Sequence, residues 1–407
     1  MRLSFPGKLI LGLQHTVAMF GATVLMPLLT GLNPSIALFS AGVGTLLFHI
    51  ITQGQVPVFL GSSFAFIAPI LVAKNAGFSL SAITGSIAVA GLVYILFSLL
   101  AWGLGYSKIK KLFPPIVTGP VIIVIGLSLA PVAIKMADKN WDLTLITLGV
   151  AVLSVVFCRG IFKIIPILLA VSTGYLTALF LGRVDITPLR EAAWFGIPSF
   201  TAPSFEWDAI FLIAPVALVT VMEHIGDILT NGRIVGKDFF RKPGLQRTLL
   251  GDGVASSLSG LVGGPVLTTY AENTGVLAIT RVYDPAILRI SAIFAILLGL
   301  SPKVAALLKT LPSGVLGGIS ILLFGMIASI GIRTLAESEI DFVHPRNLII
   351  VSIILVFGLG GVSLNFGELM STHHHAFSFE LNSMALATLA GILLNLLLPQ
   401  PKEASNS

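Results

Sequence analysis

The chain has 407 residues, of which 55% are hydrophobic and only 10% are charged. A soluble globular protein carries about 25% charged residues, so this composition excludes a water-soluble fold and indicates a lipid bilayer as the solvent. The net charge of +6 is small and spread over loops, which argues against a nucleic-acid partner, and the single cysteine excludes an internal disulfide.

Apolar stretches long enough to cross a bilayer follow one another along the chain. A window of about 20 residues predicts twelve full spans, at residues 9–30, 35–52, 80–103, 115–134, 142–158, 162–182, 209–230, 246–262, 286–307, 313–332, 347–364 and 384–399. Two further stretches, 56–73 and 263–280, open with proline and small residues and become helix-like only in their second half. We interpret them as broken spans, each a short extended piece followed by a half-helix. Fourteen crossings place both termini on one side.

The distribution of basic residues sets the orientation. If the N terminus is cytoplasmic, 17 of the 24 basic residues lie on the inner side. The positive-inside rule accepts this orientation and rejects the reverse one. We therefore predict a multi-pass protein of the inner (plasma) membrane with both termini in the cytoplasm.

The two broken spans resemble each other. Residues 57–66 (PVFLGSSFAF) and 265–272 (PVLTTYAE) both read as proline, apolar residues, two hydroxyl residues, an aromatic residue and alanine, at an offset of about 206 residues. A weaker match links the segments after Pro114 and Pro312. Seven spans per half insert the second half upside down, as in many secondary transporters whose site lies at discontinuous helices near the midplane. The predicted fold class is an all-α polytopic membrane protein of fourteen segments in two inverted repeats of seven.

Three acidic residues are predicted to lie inside the membrane. Glu223 and Asp227 belong to the eighth span, and Glu272 begins the second half-helix. A carboxylate at this depth is costly unless it has a partner, and these spans contain no Lys or Arg, so a functional role is favoured over a structural ion pair. Glu223 and Asp227 are four residues apart and share a helix face. Their repulsion predicts that at least one of them binds a proton, so we predict that these three acids couple transport to protons.

The chemistry around these acids predicts the kind of solute. Backbone N–H groups at the half-helix starts can donate hydrogen bonds to carbonyl oxygens, and aromatic rings supply flat apolar faces. Carboxylates accept hydrogen bonds and repel anions. A planar neutral solute with adjacent N–H and C=O groups, such as a nucleobase, fits this set, whereas an inorganic anion does not. The predicted substrate-binding residues are Ser63, Phe64, Glu223, Tyr270, Ala271 and Glu272.

Several motifs resemble one known family. The segment 272–281, Glu-Asn-x-Gly-x₄-Thr-Arg, is similar to the signature of the nucleobase–ascorbate transporter family, and the Gln-His pair in the first span resembles a second motif of that family. The resemblance covers nearly the whole chain, includes the Glu-His-Ile-Gly segment at 223–226, and is nearest to members that carry uracil in bacteria. The residues with a signature or structural role are then Gln14, His15, His224, Asn273, Gly275, Thr280 and Arg281.

The resemblance also implies a domain division and a mechanism. A core domain would comprise residues 1–107 and 208–310, and a gate domain residues 108–207 and 311–407. Glu223 and Glu272 would bind the N–H groups of the base, while backbone groups at Phe64 and Ala271 meet its carbonyls. The family implies a uracil:proton symporter that works by alternating access, often as a homodimer, and that is neither an enzyme nor dependent on a cofactor.

This chain departs from the family pattern in three places, and two alternatives stay open. Asp227 stands where the best-known uracil carrier of the family has histidine, Phe324 replaces a tyrosine at the edge of the gate, and Ala271 replaces glycine. Asp227 favours a xanthine or urate permease as the first alternative. The second is an anion transporter or channel of the same fold, for which a basic residue is expected where Glu272 stands. No metal site is predicted, because the histidines at 373–375 lack acidic or cysteine neighbours at ligand spacing.

Overall fold

The computed structural model describes residues 4–105, 114–159, 165–338, 340–362, 364–365, 380–381 and 383–399. In the first half of the chain the helices are α1 Phe5–Thr30, α2 Pro34–Ile51, α3 Ile67–Asn75, α4 Leu80–Leu104, α5 Pro115–Ser128, α6 Ala130–Ala137, α7 Trp141–Phe157, α8 Pro166–Phe180 and α9 Thr187–Glu191. In the second half they are α10 Trp207–Ile213, α11 Ala217–Val235, α12 Leu245–Leu261, α13 Ala271–Thr280, α14 Pro285–Gly299, α15 Pro302–Lys309, α16 Ser313–Ala336, α17 Pro345–Leu359 and α18 Ser383–Leu397. The strands are β1 Leu60–Ser62, β2 Leu267–Thr269, β3 Leu364–Asn365 and β4 Glu380–Leu381, and short 3₁₀ or π turns lie at Phe64–Phe66, Ala214–Val216 and Phe240–Gly244.

These elements lie in order at the fourteen predicted positions. Within the described ranges, six helical runs are long and apolar enough to cross a membrane, and α14 with α15 forms a seventh that is bent by 77°. Four shorter apolar helices, α7, α8, α17 and α18, occupy four of the five other full-span positions, and α12 occupies the fifth. The predicted all-α, polytopic fold class is therefore confirmed.

Two of the spans predicted as single helices are interrupted just before a proline. The segment 115–134 consists of α5 and α6, and the segment 286–307 consists of α14 and α15. In each case a proline, Pro131 or Pro302, lies in the first turn of the second helix. Proline has no N–H group and its ring crowds the preceding turn, so the helix ends just before it.

The two broken spans meet as an antiparallel strand pair. We call residues 57–75 the first arm and residues 265–280 the second arm. β1 pairs with β2 in the register Leu60 to Thr269, Gly61 to Thr268 and Ser62 to Leu267. The ladder is buried on both strands, which such backbone requires at membrane depth because lipid cannot bond its N–H and C=O groups. The prediction of two short-strand and half-helix spans is thus confirmed.

Each strand is held by a hydroxyl group on a neighbouring helix. The Thr45 hydroxyl on α2 accepts the Leu60 N–H at 2.9 Å, and the Ser256 hydroxyl on α12 accepts the Leu267 N–H at 3.0 Å. Leu60 therefore corresponds to Leu267, an offset of 207 residues. The offset of about 206 residues predicted from the hydroxyl pattern agrees with this value to within one residue.

The most extensive helix packing falls into two groups. In one, α2 packs on α12 and α14, α4 packs on α12, and α1 packs on α14; in the other, α16 packs on α5, α6 and α7, α17 packs on α5 and α18, and α7 packs on α8. Small residues allow close approach, since a Cβ on Gly260 of α12 would lie 2.4 Å from the Ala88 nitrogen of α4. This is the small-residue packing that membrane helices use, because lipid provides no hydrophobic drive between them.

Polar contacts join helix ends that the alternation of spans places on the same side. Lys8 at the start of α1 forms an ion pair with Asp284, just before α14, at 2.7 Å. At the other end of α1, Lys74 of the first arm donates to the Thr30 carbonyl at 2.8 Å.

Several residues of the predicted inner loops lie outside the described ranges, namely Arg2, Lys108, Lys110, Lys111, Lys163 and Lys402, and so do His373, His374 and His375.

Candidate substrate-binding site

The three acids predicted inside the membrane come together where the arms meet. Glu223 and Asp227 lie on α11, and Glu272 is the second residue of α13. Glu223 interacts electrostatically with Glu272, and Asp227 interacts with both. The Asp227 carboxylate accepts a hydrogen bond from the Thr269 hydroxyl at 2.9 Å. In the part of the chain that the structure describes, the buried Oε2 atom of Glu223 has no hydrogen-bond partner.

Two half-helices begin beside these acids. The first starts at Phe64 and the second at Ala271, and the preceding residues, Ser63 and Tyr270, make no side-chain cap bond. The first N–H groups of a helix lack a partner within the helix, so both starts present amides to a ligand. Among the described residues the buried Ser63 hydroxyl also has no partner. The site therefore offers donors from both arms and acceptors from Glu223 and Glu272.

An aromatic contact joins the site to the second packing group. The Phe64 ring meets the Phe324 ring of α16 edge to face, with centroids 6.0 Å apart and an interplanar angle of 78°. Both side chains are buried. The residue predicted at the edge of the gate thus touches a residue predicted to bind substrate.

Tyr270 connects the two arms. A Cβ on Gly61 would lie 2.2 Å from the Tyr270 ring, so the ring packs directly on this glycine. Its hydroxyl donates to the Ser62 carbonyl at 3.0 Å. These contacts fix the first arm against the second, and we therefore read Tyr270 as a brace between the arms rather than as the free aromatic face expected from the sequence.

The first span and the second arm are linked through their signature residues. The Asn273 side-chain amide donates to the His15 carbonyl at 3.0 Å and lies 3.1 Å from His15 Nδ1. His15 and Asn273 are both buried, and Gln14 is partly exposed beside them on α1. The histidine and asparagine thus hold α13 against α1.

The rest of the signature shapes and ends α13. Gly275 is exposed, and a Cβ there would meet no described atom within 4 Å. The Thr280 hydroxyl donates to the Val276 carbonyl at 2.8 Å, and Arg281 adopts the left-handed conformation, with φ of 54°, that closes the helix. Thr280 and Arg281 therefore act on the helix end and lie away from the acids.

One acid inside a span was missed. Asp252 on α12 is fully buried, and it lies 2.8 Å from His224 Nδ1. His224 Nε2 lies 3.0 Å from the Thr248 hydroxyl, which itself donates to the Leu245 carbonyl. One ring nitrogen of His224 thus faces a buried carboxylate and the other faces a buried hydroxyl. The expectation of only three acids within spans was wrong, although the rule that identified the other three applies equally to Asp252.

Asn231 is a second residue that the sequence did not single out. Its buried side-chain amide donates to the Pro57 carbonyl of the first arm at 3.1 Å and to the Thr274 hydroxyl of the second arm at 3.2 Å. One side chain on α11, two turns beyond Glu223, therefore holds both arms. No local sequence signal distinguishes such a residue from a surface asparagine.

Comparison with known proteins identifies the group to which this arrangement belongs. The family described as "Permease family" matches residues 6–366. The chain belongs to this family. Membership confirms the resemblance to the nucleobase–ascorbate transporter family and makes the chain a transporter rather than an enzyme.

Full-length relatives within the permease family carry specific names. The chain is 48% identical to a uracil permease of Bacillus caldolyticus, over 97% of this chain and 93% of the relative. It is 42% identical to the uracil permease of Escherichia coli K12, over 95% and 90%, and 41% identical to a putative pyrimidine permease of the same strain, over 98% and 90%.

Solved structures show that the fold is shared more widely. The transmembrane domain of the cyanobacterial bicarbonate transporter BicA matches with a TM-score of 0.66 at 18% identity, covering 96% of each chain. The murine anion transporter Slc26a9 in its inward-facing state matches with a TM-score of 0.70 at 11% identity, covering 98% of this chain and 68% of that one. At such low identity these likenesses establish the fold alone.

Proposed function

We propose that this permease imports uracil together with protons across the inner membrane by alternating access. The observation that carries the proposal is the meeting of Glu223 and Glu272 beside the starts of two half-helices. This arrangement presents acceptors and donors side by side, as a base with adjacent N–H and C=O groups requires. The names of the full-length relatives support uracil as that base.

Each site residue then has a role that follows from its chemistry. Glu223 and Glu272 accept hydrogen bonds from the ring N–H groups, and the amides at Phe64 and Ala271 donate to the carbonyls. The Phe64 ring covers one face of the base. Ser63 adds a hydroxyl beside this face.

Proton coupling uses the same acids. In the described part of the chain, Glu223, Asp227 and Glu272 form no ion pair with Lys or Arg, so their charge is neutralised by protons rather than by a fixed cation. Three carboxylates this close cannot all stay ionised when the site is closed to water. Protonation therefore accompanies substrate binding, and the proton gradient drives uptake.

The two packing groups support a division into a core domain, residues 1–107 and 208–310, and a gate domain, residues 108–207 and 311–407. The core carries both arms and the three acids of the site, while the gate contributes Phe324 at the edge of the site. Movement of the gate against the core exposes the site first to one side and then to the other. Cytoplasmic termini and a homodimer complete the proposal.

One alternative within the family has its own observation. Asp227 is held by Thr269 of the second arm, so a carboxylate, not a histidine, stands beside the site, as in purine-carrying members. A xanthine or urate permease is therefore the second candidate. An anion transporter of the same fold is disfavoured, because Glu272 occupies a helix start that would otherwise attract an anion.

Competition for uptake tests these candidates. Purified protein in liposomes is expected to accumulate labelled uracil when the outside is acidic, and excess unlabelled thymine, guanine or xanthine is expected to compete weakly. A protonophore should abolish accumulation. Uptake of xanthine in preference to uracil would favour the alternative, and accumulation unaffected by the protonophore would rule out proton coupling. Glu191→Gln, at an exposed position on α9, serves as the matched control for carboxylate variants.

A further inference from the structure

The side chain of Asn231 connects α11 to both arms at once. Its amide nitrogen donates to the Pro57 carbonyl, at the start of the first arm, and to the Thr274 hydroxyl, in the first turn of α13. The residue is fully buried, and its Oδ1 atom has no hydrogen-bond partner among the described residues. The connection therefore depends on the two N–H groups of one nitrogen, each of which bonds to a different arm.

Both ends of the bond to the second arm lie on helices that carry an acid of the site. Asn231 follows Glu223 by eight residues on α11, which places it about 12 Å farther along the helix axis. Thr274 follows Glu272 by two residues on α13, and its hydroxyl donates to the Tyr270 carbonyl at 3.4 Å. Asn231 is thus too far along α11 to touch a base bound at Glu223. Its bond to Thr274 nevertheless fixes the helix start that carries Glu272 relative to the helix that carries Glu223.

An amide is suited to a contact that must stay constant during transport. A second contact joins α11 to the second arm, because Asp227 accepts a hydrogen bond from the Thr269 hydroxyl at 2.9 Å. Asp227 is one of the acids proposed to take up protons, so the charge at that contact changes within the cycle. The side-chain amide of asparagine has two donor hydrogens and no titratable proton. The bonds of Asn231 therefore do not depend on its own protonation.

We propose that Asn231 is a positioning residue that sets the separation between Glu223 and Glu272. Two acceptors held at a fixed separation favour a solute whose two ring N–H groups match that separation, as those of uracil would, over a solute with a single N–H group. This inference rests on the proposed function. It assigns part of the specificity of the site to a residue that does not touch the substrate.

Two ligands separate positioning from a merely structural role, namely uracil and 4-pyrimidinone, which has one ring N–H group where uracil has two. In Asn231→Ala the two acids are no longer held in register, so uracil should lose one of its bonds to a carboxylate and bind about tenfold or more weakly. 4-Pyrimidinone needs only one acid, and its affinity should stay within about twofold of that of the unmodified protein. Competition of each compound against labelled uracil, on protein in detergent, measures both affinities.

Matched variants complete the experiment. Thr274→Val removes the acceptor on the second arm and keeps the shape of the side chain, so it should show the same loss of preference for uracil. Asn347→Ala removes another buried amide, which donates to the Asp341 carbonyl at 2.8 Å on α17. It should lower the midpoint of thermal unfolding without changing the preference.

The outcomes distinguish the inference from the proposed function. Equal losses of affinity for the two compounds in Asn231→Ala, or no loss for either, would overturn the positioning role. If Asn231→Ala does not fold, Thr274→Val decides by the same comparison. Unmodified protein that binds xanthine in preference to uracil, or binds neither, would instead overturn the proposed function.

Discussion

The first and second arms share one backbone plan but differ in the side chains at equivalent positions. Each has a three-residue strand, a hydroxyl clamp behind it and a half-helix that starts 207 residues from its counterpart. The first half-helix opens with Phe64-Ala65 and the second with Ala271-Glu272. The repeat thus provides the amide donors twice, whereas the aromatic face and the carboxylate each come from one arm only. The repeated backbone forms both sides of the site, and the residues that differ between the arms determine what the site binds.

The residues that follow the two strands, Ser63 and Tyr270, differ in the same way. Tyr270 of the second arm packs over Gly61 and bonds to Ser62 of the first, whereas its counterpart, Ser63, has a free hydroxyl within the described chain. Gly61 of the first arm has no side chain, which leaves room for the Tyr270 ring of the second arm. Four sets of substitutions test how far the two arms differ.

The largest effect is expected for the carboxylate that only the second arm carries. Glu272→Gln replaces a charged acceptor by a weaker neutral one, so uracil binding should fall by about 100-fold or more, as for loss of a hydrogen bond to a charged group. Glu223→Gln should behave alike. Calorimetric binding on protein with an unchanged gel-filtration profile measures this, and wild-type affinity in both variants would remove the two residues from the site.

The brace between the arms is the next target. Gly61→Ala forces a methyl group into the Tyr270 ring, and overpacking of this kind costs about 1–3 kcal/mol. Thermal unfolding in detergent should show a lower midpoint, and the loss should shrink in a Tyr270→Ser background. Gly149→Ala, where a Cβ meets no described atom within 4 Å, is the control. Equal midpoints for Gly61→Ala and Gly149→Ala would contradict the brace.

Equivalent positions at the two helix starts should respond differently. Phe64→Ala removes a stacking face, which for a base is worth about 1–3 kcal/mol, so KM for uracil should rise about tenfold or more. Ala271→Gly leaves the backbone amide in place and should change KM by less than about twofold. Similar changes at both positions, measured by initial rates of uptake, would mean that the arms do not differ in this way.

The smallest effects test the symmetry itself. Thr45→Val and Ser256→Ala each remove one hydroxyl that accepts a strand N–H. Each should lower the free energy of unfolding by about 1 kcal/mol, and the two values should agree. A loss confined to one of them would show that the clamps are not equivalent.

Much of the fold could be predicted from hydropathy, because a bilayer demands long apolar segments at every crossing. The two broken spans were visible as well, since proline and small residues interrupt 56–73 and 263–280. The breaks before Pro131 and Pro302 could have been read from proline itself. The exact register of the repeat could not be predicted. The hydroxyl pairs at 62–63 and 268–269 suggest an offset of about 206 residues, whereas the hydroxyl groups bonded to the two strands give 207.

The acids and the half-helix starts of the site were predicted from cost and geometry, and the structure brings them together. Asp252 was missed despite lying in an apolar span, where the same cost argument applies. Its contact with His224 depends on how α11 packs beside α12, which no local pattern contains. Asn231 is likewise defined by its three-dimensional neighbours and not by its own sequence.

The pairing of β1 with β2 has a consequence for synthesis of the protein. About 200 residues separate the two strands, and at 5–20 residues per second the ribosome needs roughly 10–40 s to make them. Throughout that interval the first strand has no partner, and lipid cannot supply one. The backbone groups of β1 that bond to β2 therefore need other partners until Thr269 has been made.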